Sequence, residues 1–222
     1  VVIGGGATGC GVARDLVLRG YKTTLVESGN LGSGTSSRSH GMLQSGARYA
    51  VTETSFAAEC YSERNIISKI FPKAVKLIGG LFISLPNDPE DYPEKFLKGC
   101  KIAKIPTKEI NINEVLKHEK ELSKNILRAF HVPDAVIYPT KLFYLLAKEI
   151  KAYGGKILTN HQVVSIKQIN NIVSSVVVSH NGVKKNIECD GIINAAGPWS
   201  SKIAKLINQN VELQLTRGCG IF

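Results

Sequence analysis

The sequence lacks any apolar stretch long enough to cross a membrane, since no run reaches about 18 consecutive apolar residues. It also has no basic segment ahead of its first apolar run, so we expect no secretory signal. Only 5 cysteines occur, and their wide spacing contains no Cys-X-X-Cys pair. This pattern predicts neither a disulfide framework nor a metal site, and it favours reduced thiols in the cytoplasm.

Acidic residues are scarce relative to basic ones, because 28 Lys and Arg face 18 Asp and Glu, giving a net charge of +10. A positive field of this size attracts anions such as phosphorylated metabolites or acidic lipid surfaces. The lysines are scattered, however, and form no compact basic run. No nucleic-acid-binding motif occurs, so we expect no nucleic-acid partner.

Residues 1–27 predict one strand–helix–strand unit. Val1–Ile3 is an apolar strand, a glycine turn follows it, and a helical pattern then runs to Gly20. Thr23–Val26 is a second strand, and Glu27 stands at its end. Two strands joined through a helix in this way are expected to pair in parallel.

The glycine turn Gly4-Gly5-Gly6-Ala7-Thr8-Gly9 fits the pattern Gly-X-Gly-X-X-Gly. In such a turn the glycines allow a tight bend, a close approach of the backbone to a pyrophosphate, and close packing of the helix on the strand. The helix N-terminus offers free N–H groups to the phosphate charge. Glu27 can accept hydrogen bonds from both hydroxyls of an adenosine ribose and would repel a 2′-phosphate, so the pattern predicts a dinucleotide other than NADP.

The remaining chain predicts alternating helices and strands with no internal repeat. We expect a Gly/Ser/Thr-rich loop at 28–49, a helix at 55–71, a strand at 79–85, two helices within 94–128, a helix at 141–153, a β-meander of strands at 156–159, 163–169, 172–179 and 184–189, and a strand at 192–196. Asn181-Gly182 is typical of a type I′ hairpin turn.

Several segments together resemble FAD-dependent glycerol-3-phosphate dehydrogenases, within the wider superfamily of flavoproteins similar to D-amino-acid oxidase. The similarity is greatest to the catalytic subunit of the anaerobic, quinone-linked type. It is carried by residues 3–50, which include Ser33–Gly41 and Leu43–Tyr49, and by Gly79–Phe82, Val132–Asp134 and Asn194–Trp199. A Ser/Thr-rich loop directly after a ribose-type acid is what distinguishes this pattern from that of NAD enzymes.

The resemblance implies an α/β fold in which a Rossmann-like FAD-binding domain of the glutathione-reductase-2 type is interleaved with part of a mixed-sheet substrate domain. The FAD-binding domain would comprise residues 1–75 and 138–210. Residues 76–137 and 211–222 would belong to the substrate domain. Family members continue well beyond the equivalent of Phe222, so we expect the chain to lack the remainder of that domain. On this view the isolated chain binds FAD weakly and shows no turnover, and the Gly80–Leu85 strand lacks partners.

The resemblance also implies the cofactor contacts. Glu27 would hold the adenosine ribose, Val163 would touch the adenine through its backbone, and the other contacts would follow the pyrophosphate, ribityl chain and flavin. The full implied set is Gly4, Gly6, Ala7, Thr8, Gly9, Glu27, Ser28, Gly34, Thr35, Ser36, Ser37, Ser39, His40, Val163, Ala196 and Gly197. Because superfamily members with a covalent histidyl linkage carry that histidine at the place of Arg38, we expect non-covalent FAD.

For the substrate, the resemblance implies a pocket that contains Arg48, Tyr49 and Arg217. A guanidinium suits a phosphate dianion, which favours sn-glycerol 3-phosphate as the molecule oxidised. His40 is a candidate flavin neighbour or proton acceptor, since imidazole titrates near neutrality; a structural role is an equally good interpretation. From the residues alone, a surface ion pair is the simpler interpretation of Arg48.

The implied reaction transfers a hydride from C2 of the substrate to flavin N5 and passes electrons to a quinone or through partner subunits, on the cytoplasmic face of the membrane. One departure is Gln44, where the family usually has histidine, because glutamine carries no proton at neutral pH. Two alternatives stay open. One is an oxidase or dehydrogenase of 2-hydroxyacids, such as 2-hydroxyglutarate, or of amino acids, since Arg48 would suit a carboxylate too. The other is a flavin-binding module without catalysis, which Gln44 and the expected lack of the C-terminal part favour.

Overall fold

A computed structural model describes residues 1–216 and residue 218. The described chain divides into two compact units. The first contains Val1–His40 together with the described residues from Pro139 onward, and the second contains Gly41–Tyr138. No helix of the described residues is both long and apolar enough to span a bilayer.

The elements alternate along the chain as an α/β pattern. The strands are β1 (Val2–Ile3), β2 (Thr24–Val26), β3 (Met42–Leu43), β4 (Val75–Leu77), β5 (Gly80–Ser84), β6 (Lys108–Ile110), β7 (Arg128–Val132), β8 (Ala135–Ile137), β9 (Lys156–Leu158), β10 (Gln162–Ile169), β11 (Ile172–His180), β12 (Val183–Glu188) and β13 (Ile193–Asn194). The helices are α1 (Ala7–Leu18), α2 (Thr54–Ile70), α3 (Tyr92–Ile102), α4 (Ile112–His118), α5 (Pro139–Ala152) and α6 (Ser200–Lys205). Short 3-10 turns lie at Thr35–Ser37, Ala47–Tyr49, Pro72–Ala74 and Gly197–Trp199.

The first unit is built on a parallel sheet of order β13-β1-β2-β9. Val2 pairs with both Leu25 and Ile193, so the strand that opens the chain lies inside the sheet. Buried parallel strands are expected to be continuously apolar, and Val2, Leu25 and Val26 are almost fully enclosed. An ion pair between Arg14 and Glu149 joins α1 to α5. The predicted Rossmann-like arrangement and α/β class are confirmed.

A three-stranded antiparallel meander, β10-β11-β12, completes the first unit. The predicted hairpin turn at Asn181-Gly182 is present, with φ of 50° and 82°, the left-handed values that a type I′ turn requires. Residues 156–159 were predicted as the first strand of this meander, and that prediction is wrong. Lys156–Leu158 instead pairs in parallel with β2, because α5 returns the chain to the edge of the parallel sheet.

The second unit contains two antiparallel sheets, of order β3-β8-β4 and β5-β7-β6. Its main apolar cluster joins Ala47 and Ala57 to Phe96, Cys100 and Phe130. Phe96 stacks on Phe82, with ring centroids 4.8 Å apart, and lies 5.6 Å from the ring of Phe130. These rings bind α3 to β5 and β7, so the helix and the sheet share one core.

Two expectations for this region differ from the structure. The segment 94–128 contains the two predicted helices but also a strand, Lys108–Ile110. The next strand, Arg128–Val132, pairs antiparallel with both β5 and β6. The expected lack of partners for the Gly80–Leu85 strand is therefore wrong. A periodicity argument does not reveal this pairing, because β6 is mostly exposed and charged and because Arg128 and His131 interrupt the buried residues of β7.

Residues 41–75 were grouped with the FAD-binding domain, whereas in the structure they lie in the second unit. The physical reason is strand pairing: Met42 pairs with Val136, and Val75 pairs with Ile137. The strand Ala135–Ile137 thus joins both ends of that segment to the second unit. The functional assignment of the domains stays a prediction.

Candidate functional site

The glycine turn between β1 and α1 leaves no room for side chains at two positions. A Cβ at Gly4 would lie 2.4 Å from the carbonyl oxygen of Ala195, and Gly4 has a φ of +108°. A Cβ at Gly9 would lie 1.8 Å from the carbonyl oxygen of Gly4. Both contacts are with backbone atoms, so the turn can hold the strand, the helix and the Ala195 segment together only if glycine is present.

The N-terminus of α1 opens beside this turn. Gly6 is the N-cap residue and contributes no side-chain cap. Instead the backbone N–H of Ala7 donates to the Ser36 hydroxyl at 2.9 Å, so the Ser/Thr-rich loop lies against the first turn of the helix. The first N–H groups of a helix have no partner inside it, and its dipole makes this end positive. The arrangement suits an anion.

Glu27 is fixed at the end of β2 by the backbone around it. Its carboxylate accepts hydrogen bonds from the N–H of Gly5 at 2.6 Å, from the N–H of Gly29 at 2.7 Å and from the hydroxyl of Ser28 at 3.1 Å. Its own N–H donates to the carbonyl of Leu158 at 2.8 Å. The carboxylate therefore stands in one orientation beside the glycine turn, with lone pairs left for a further donor such as a ribose hydroxyl.

A cleft of about 800 Å³ in the first unit brings these features together. It is a size that suits a large cofactor. The sequence-predicted residues that line it are Gly4, Gly6, Ala7, Thr8, Glu27, Ser28, Gly34, Thr35, Ser36, Val163, Ala196 and Gly197. Gly9 is buried beneath the turn and acts through packing. Ser37, Ser39 and His40 follow on the exposed loop and do not belong to the lining of this cleft.

Sequence reasoning did not assign a role in the cleft to several residues that line it, among them His161, Trp199 and Lys202. The ring of His161 stacks on that of His180, with centroids 4.6 Å apart and planes at 11°. Nδ1 of His161 lies 2.7 Å from the carbonyl oxygen of Thr159, which fixes the proton on that nitrogen in the neutral ring. In the sequence, the only indication that His161, Trp199 and Lys202 line the cleft is that they lie near Val163 or Gly197. Such closeness along the chain is weak evidence without the fold.

Cys10 lies under the glycine turn and is fully buried. Its thiol donates to the carbonyl oxygen of Gly5 at 3.4 Å. Burial, and to a smaller extent the charge of Glu27, raises the pKa of Cys10 from 9.0 to about 12. The thiol is therefore protonated at neutral pH, and it supports the turn rather than acting as a nucleophile.

Arg48 and Tyr49 lie in the second unit, on a 3-10 turn that is held from two sides. A Cβ at Gly46, whose φ is +85°, would lie 2.3 Å from the carbonyl oxygen of Ala57 in α2. The ring of Tyr49 meets that of Phe56 edge-on at 4.9 Å. Arg48 itself is exposed. The loop thus presents a guanidinium from a fixed backbone.

The same loop is anchored by a buried carboxylate. Oδ1 of Asp134 accepts a hydrogen bond from the N–H of Ser45 at 2.6 Å, and both residues are buried. The N–H of Gly79 donates to the carbonyl oxygen of Asp134 at 3.0 Å. Asp134 therefore ties the segment before Arg48 to the start of β5.

Two further expectations concern Arg217 and metals. Arg217, a predicted substrate residue, lies outside the described residues. Within the described part of the chain, no group of three or more His, Cys, Asp or Glu side chains is placed to hold a metal ion.

Comparison with known proteins gives consistent matches. The DAO family, described as "FAD dependent oxidoreductase", matches residues 1–221. The chain is 38% identical to the A1 subunit of anaerobic glycerol-3-phosphate dehydrogenase from Haloferax volcanii, over 98% of this chain and 39% of that protein. It is 34% identical to the A subunit of the enzyme of the same name from Escherichia coli K12, over 98% of this chain and 41% of that protein.

A solved structure, glycerol-3-phosphate dehydrogenase from Bacillus halodurans complexed with FAD, superposes with a TM-score of 0.70 at 25% identity. The match covers 93% of this chain and 36% of that one. The chain thus spans about two fifths of the length of the curated relatives it matches.

Proposed function

Because the chain belongs to the DAO family of FAD-dependent oxidoreductases, we propose that the cleft of its first unit binds FAD non-covalently. We further propose that the protein oxidises sn-glycerol 3-phosphate to dihydroxyacetone phosphate. The support for this substrate is the similarity to subunits of two anaerobic glycerol-3-phosphate dehydrogenases, at 38% and 34% identity. The observation that carries the cofactor proposal is the cleft of about 800 Å³ in which the glycine turn, the N-terminus of α1 and the Glu27 carboxylate meet, with Gly4 and Gly6 in its lining.

The residues present fit FAD along the whole cleft. Glu27 would hold the adenosine ribose, and Val163, in the strand beside it, would lie at the adenine. The first turn of α1 and the hydroxyls of Thr35 and Ser36 would hold the pyrophosphate. Ala196 and Gly197 would let the chain pass close to the flavin. When bound, FAD supplies the redox chemistry by accepting a hydride.

Arg48 and Tyr49, on the 3-10 turn of the second unit, would contact the substrate. Arg48 is an exposed guanidinium on a loop fixed by Gly46 and Asp134, and such a group can bind a phosphate through two parallel hydrogen bonds. Tyr49, with its ring against Phe56, would line the same pocket. Arg217 would add a further positive charge. These residues would recognise the phosphate of the substrate and thereby orient the molecule.

The oxidation removes a hydride from C2 and a proton from the C2 hydroxyl. The proton needs an acceptor, and His40 is the candidate in this chain, since an imidazole can take a proton near neutral pH. Gln44, at the position where the family resemblance implies histidine, cannot do so. A test of His40 is His40→Gln, which should lower kcat far more than it changes KM if His40 takes the proton.

We propose that the two electrons then pass to a quinone, directly or through partner subunits. The net charge of +10 favours an acidic lipid surface, so the proposed place of action is the cytoplasm at the inner face of the membrane. The membrane proposal is tested by measuring how much of the protein binds to anionic and to neutral lipid vesicles. Equal binding to both would contradict the proposed attraction to an acidic lipid surface.

The substrate proposal is tested by kinetics of the purified protein that contains this chain. Arg48→Ala should raise KM for glycerol 3-phosphate by about 10-fold or more while changing the weak reaction with glycerol far less, because only the former has a phosphate. Lys69→Ala removes an exposed positive charge from the same unit and serves as the control.

If Arg48→Ala raised KM equally for glycerol 3-phosphate and for glycerol, Arg48 would have a structural role and would not bind the phosphate. Faster turnover of a 2-hydroxyacid such as 2-hydroxyglutarate, or of an amino acid, would replace the proposed substrate. Bound FAD that no substrate bleaches would identify a flavin-binding module without catalysis.

A further inference from the structure

We propose that Arg38 and Lys202 bind the diphosphate of the cofactor from opposite walls of the cleft and neutralise its charge. This inference rests on the proposed FAD site and adds two residues to it. The two side chains lie far apart in the sequence and become neighbours of one cavity only in the fold.

The charges that line the cleft are few. Among its described lining residues, Glu27 is the one acidic side chain, and Arg38 and Lys202 are the ones that carry a permanent positive charge. Some cations of the described chain are paired, for example Arg14 with Glu149, and Arg19 with Asp15 at 2.6 Å. Neither Arg38 nor Lys202 has an ion-pair partner among the described residues. Their charges are therefore available to a ligand.

The backbone alone offers too little positive charge for a diphosphate. A bridging diphosphate carries about two negative charges, whereas a helix N-terminus is equivalent to roughly half a positive charge. In this cleft the N–H of Ala7 is already engaged by Ser36 and the N–H of Gly5 by Glu27. Glu27 also adds a negative charge to the same cleft. Two cations would bring the sum close to balance.

Both residues lie on segments that border the glycine turn. Arg38 follows the 3-10 turn Thr35–Ser37, and its N–H donates to the carbonyl of Thr35 at 3.0 Å. Ser36 in that turn is the residue that contacts Ala7 at the start of α1. The Arg38 side of the cleft is thus fixed directly beside the helix N-terminus.

Lys202 belongs to the other wall. It lies in α6, which follows the turn Gly197–Trp199. Upstream of that turn, the carbonyl of Ala195 lies against Gly4, and Trp199 lies against Gly34, whose Cβ would be 3.2 Å from the indole ring. The two walls therefore meet across the glycine turn, with one cation on each.

The test measures FAD affinity of the protein that contains this chain, using Arg38→Gln and Lys202→Gln. Each substitution should weaken FAD binding by about 5- to 30-fold, which lies between the effect of losing an exposed ion pair and that of losing a charge-assisted hydrogen bond. Lys205→Gln is the matched control, because Lys205 lies on the same short helix and is exposed but does not line the cleft. It should change the affinity by less than about 2-fold, and Arg38→Lys should recover part of the loss.

The ligand set separates charge from general damage. The dissociation constant of ADP, which shares the diphosphate, should rise in both variants by a factor similar to that of FAD, whereas the dissociation constant of adenosine should stay as in the unchanged protein. The dependence of FAD affinity on salt concentration should also become shallower. The inference would be overturned, with the FAD site left intact, if Arg38→Gln and Lys202→Gln bound FAD no more weakly than Lys205→Gln does. It would also be overturned if these variants lost affinity for ADP and for adenosine equally. Failure of the unchanged protein to bind FAD would overturn the proposed function and this inference with it.

Discussion

The two units of the chain present their functional groups in different ways. In the first, the site is made by the backbone: glycines at positions where a Cβ would clash, a helix N-terminus, and a carboxylate held by two N–H groups. In the second, the candidate substrate group is the side chain of Arg48 on a loop that a buried aspartate holds. A site made by the backbone tolerates few residue types, so it produces a recognisable spacing of residues in the sequence. A functional side chain held by a distant buried residue produces almost no such pattern.

The largest effect is expected from Gly9→Val in the first unit. A Cβ there would lie 1.8 Å from the Gly4 carbonyl oxygen, so the strand and helix must separate. We expect a loss of more than about 3 kcal/mol of folding free energy and no measurable FAD binding. Gly11→Ala is the control: no atom lies within 4 Å of the position that its methyl group would take, and alanine favours the helix by about 1 kcal/mol. Thermal unfolding and FAD titration of both variants measure the contrast, and similar behaviour would contradict it.

In the second unit, Asp134→Ala removes the acceptor of the buried Ser45 N–H. An unsatisfied buried donor costs about 1–3 kcal/mol, so the urea midpoint should fall accordingly. Asp88→Ala removes a similar hydrogen bond, to the N–H of Leu85 at 2.8 Å, at an exposed site where water replaces it. The control should lose under about 1 kcal/mol. Equal losses would show that burial of Asp134 has no special effect.

Glu27→Gln should weaken FAD binding by about 1–3 kcal/mol, because an amide has one acceptor oxygen where the carboxylate has two charged ones. Glu149→Gln, which breaks the ion pair with Arg14 in the same unit but does not line the cleft, is the comparison. Calorimetric titration with FAD gives both affinities. An unchanged affinity for Glu27→Gln would limit Glu27 to its backbone contacts with Gly5 and Gly29.

The smallest effect concerns the surface of the second unit. Hydrogen bonds from Arg128, partly offset by desolvation, hold the pKa of Glu109 below its ordinary value of 4.5. A carboxyl group whose pKa is lower in the folded state than in the unfolded state stabilises the fold at pH values above the unfolded-state pKa. This stabilisation is lost as the pH falls through the folded-state pKa. Since Glu109 is half-exposed, we expect Glu109→Gln to cost under about 1 kcal/mol at pH 7 and nothing near pH 2. Urea unfolding at both pH values measures it, and a cost that does not change with pH would contradict the assignment.

Much of the first unit could be predicted from the sequence, because Gly4–Gly9, Glu27 and the Asn181-Gly182 turn each require particular residue types at fixed positions. The strand Lys156–Leu158 was misplaced, since a short apolar strand does not reveal whether its partner is parallel or antiparallel. Strands β6 and β7 were missed because their alternation is broken by charged residues such as Arg128. The positions of His161 and Lys202 in the lining of the cleft depend on long-range packing, which no local pattern encodes.

The central claim is that the first unit binds FAD, and the most direct measurement is the identity of the nucleotide. Protein that contains this chain is purified, any bound nucleotide is released by acid, and the released compound is identified by its absorption spectrum and mass. A protein that is yellow and releases intact FAD, together with a Gly9→Val variant that is colourless, is the predicted result. Release of a nicotinamide nucleotide, or failure to bind added FAD while Gly11→Ala and the unchanged protein are both folded, would contradict the account.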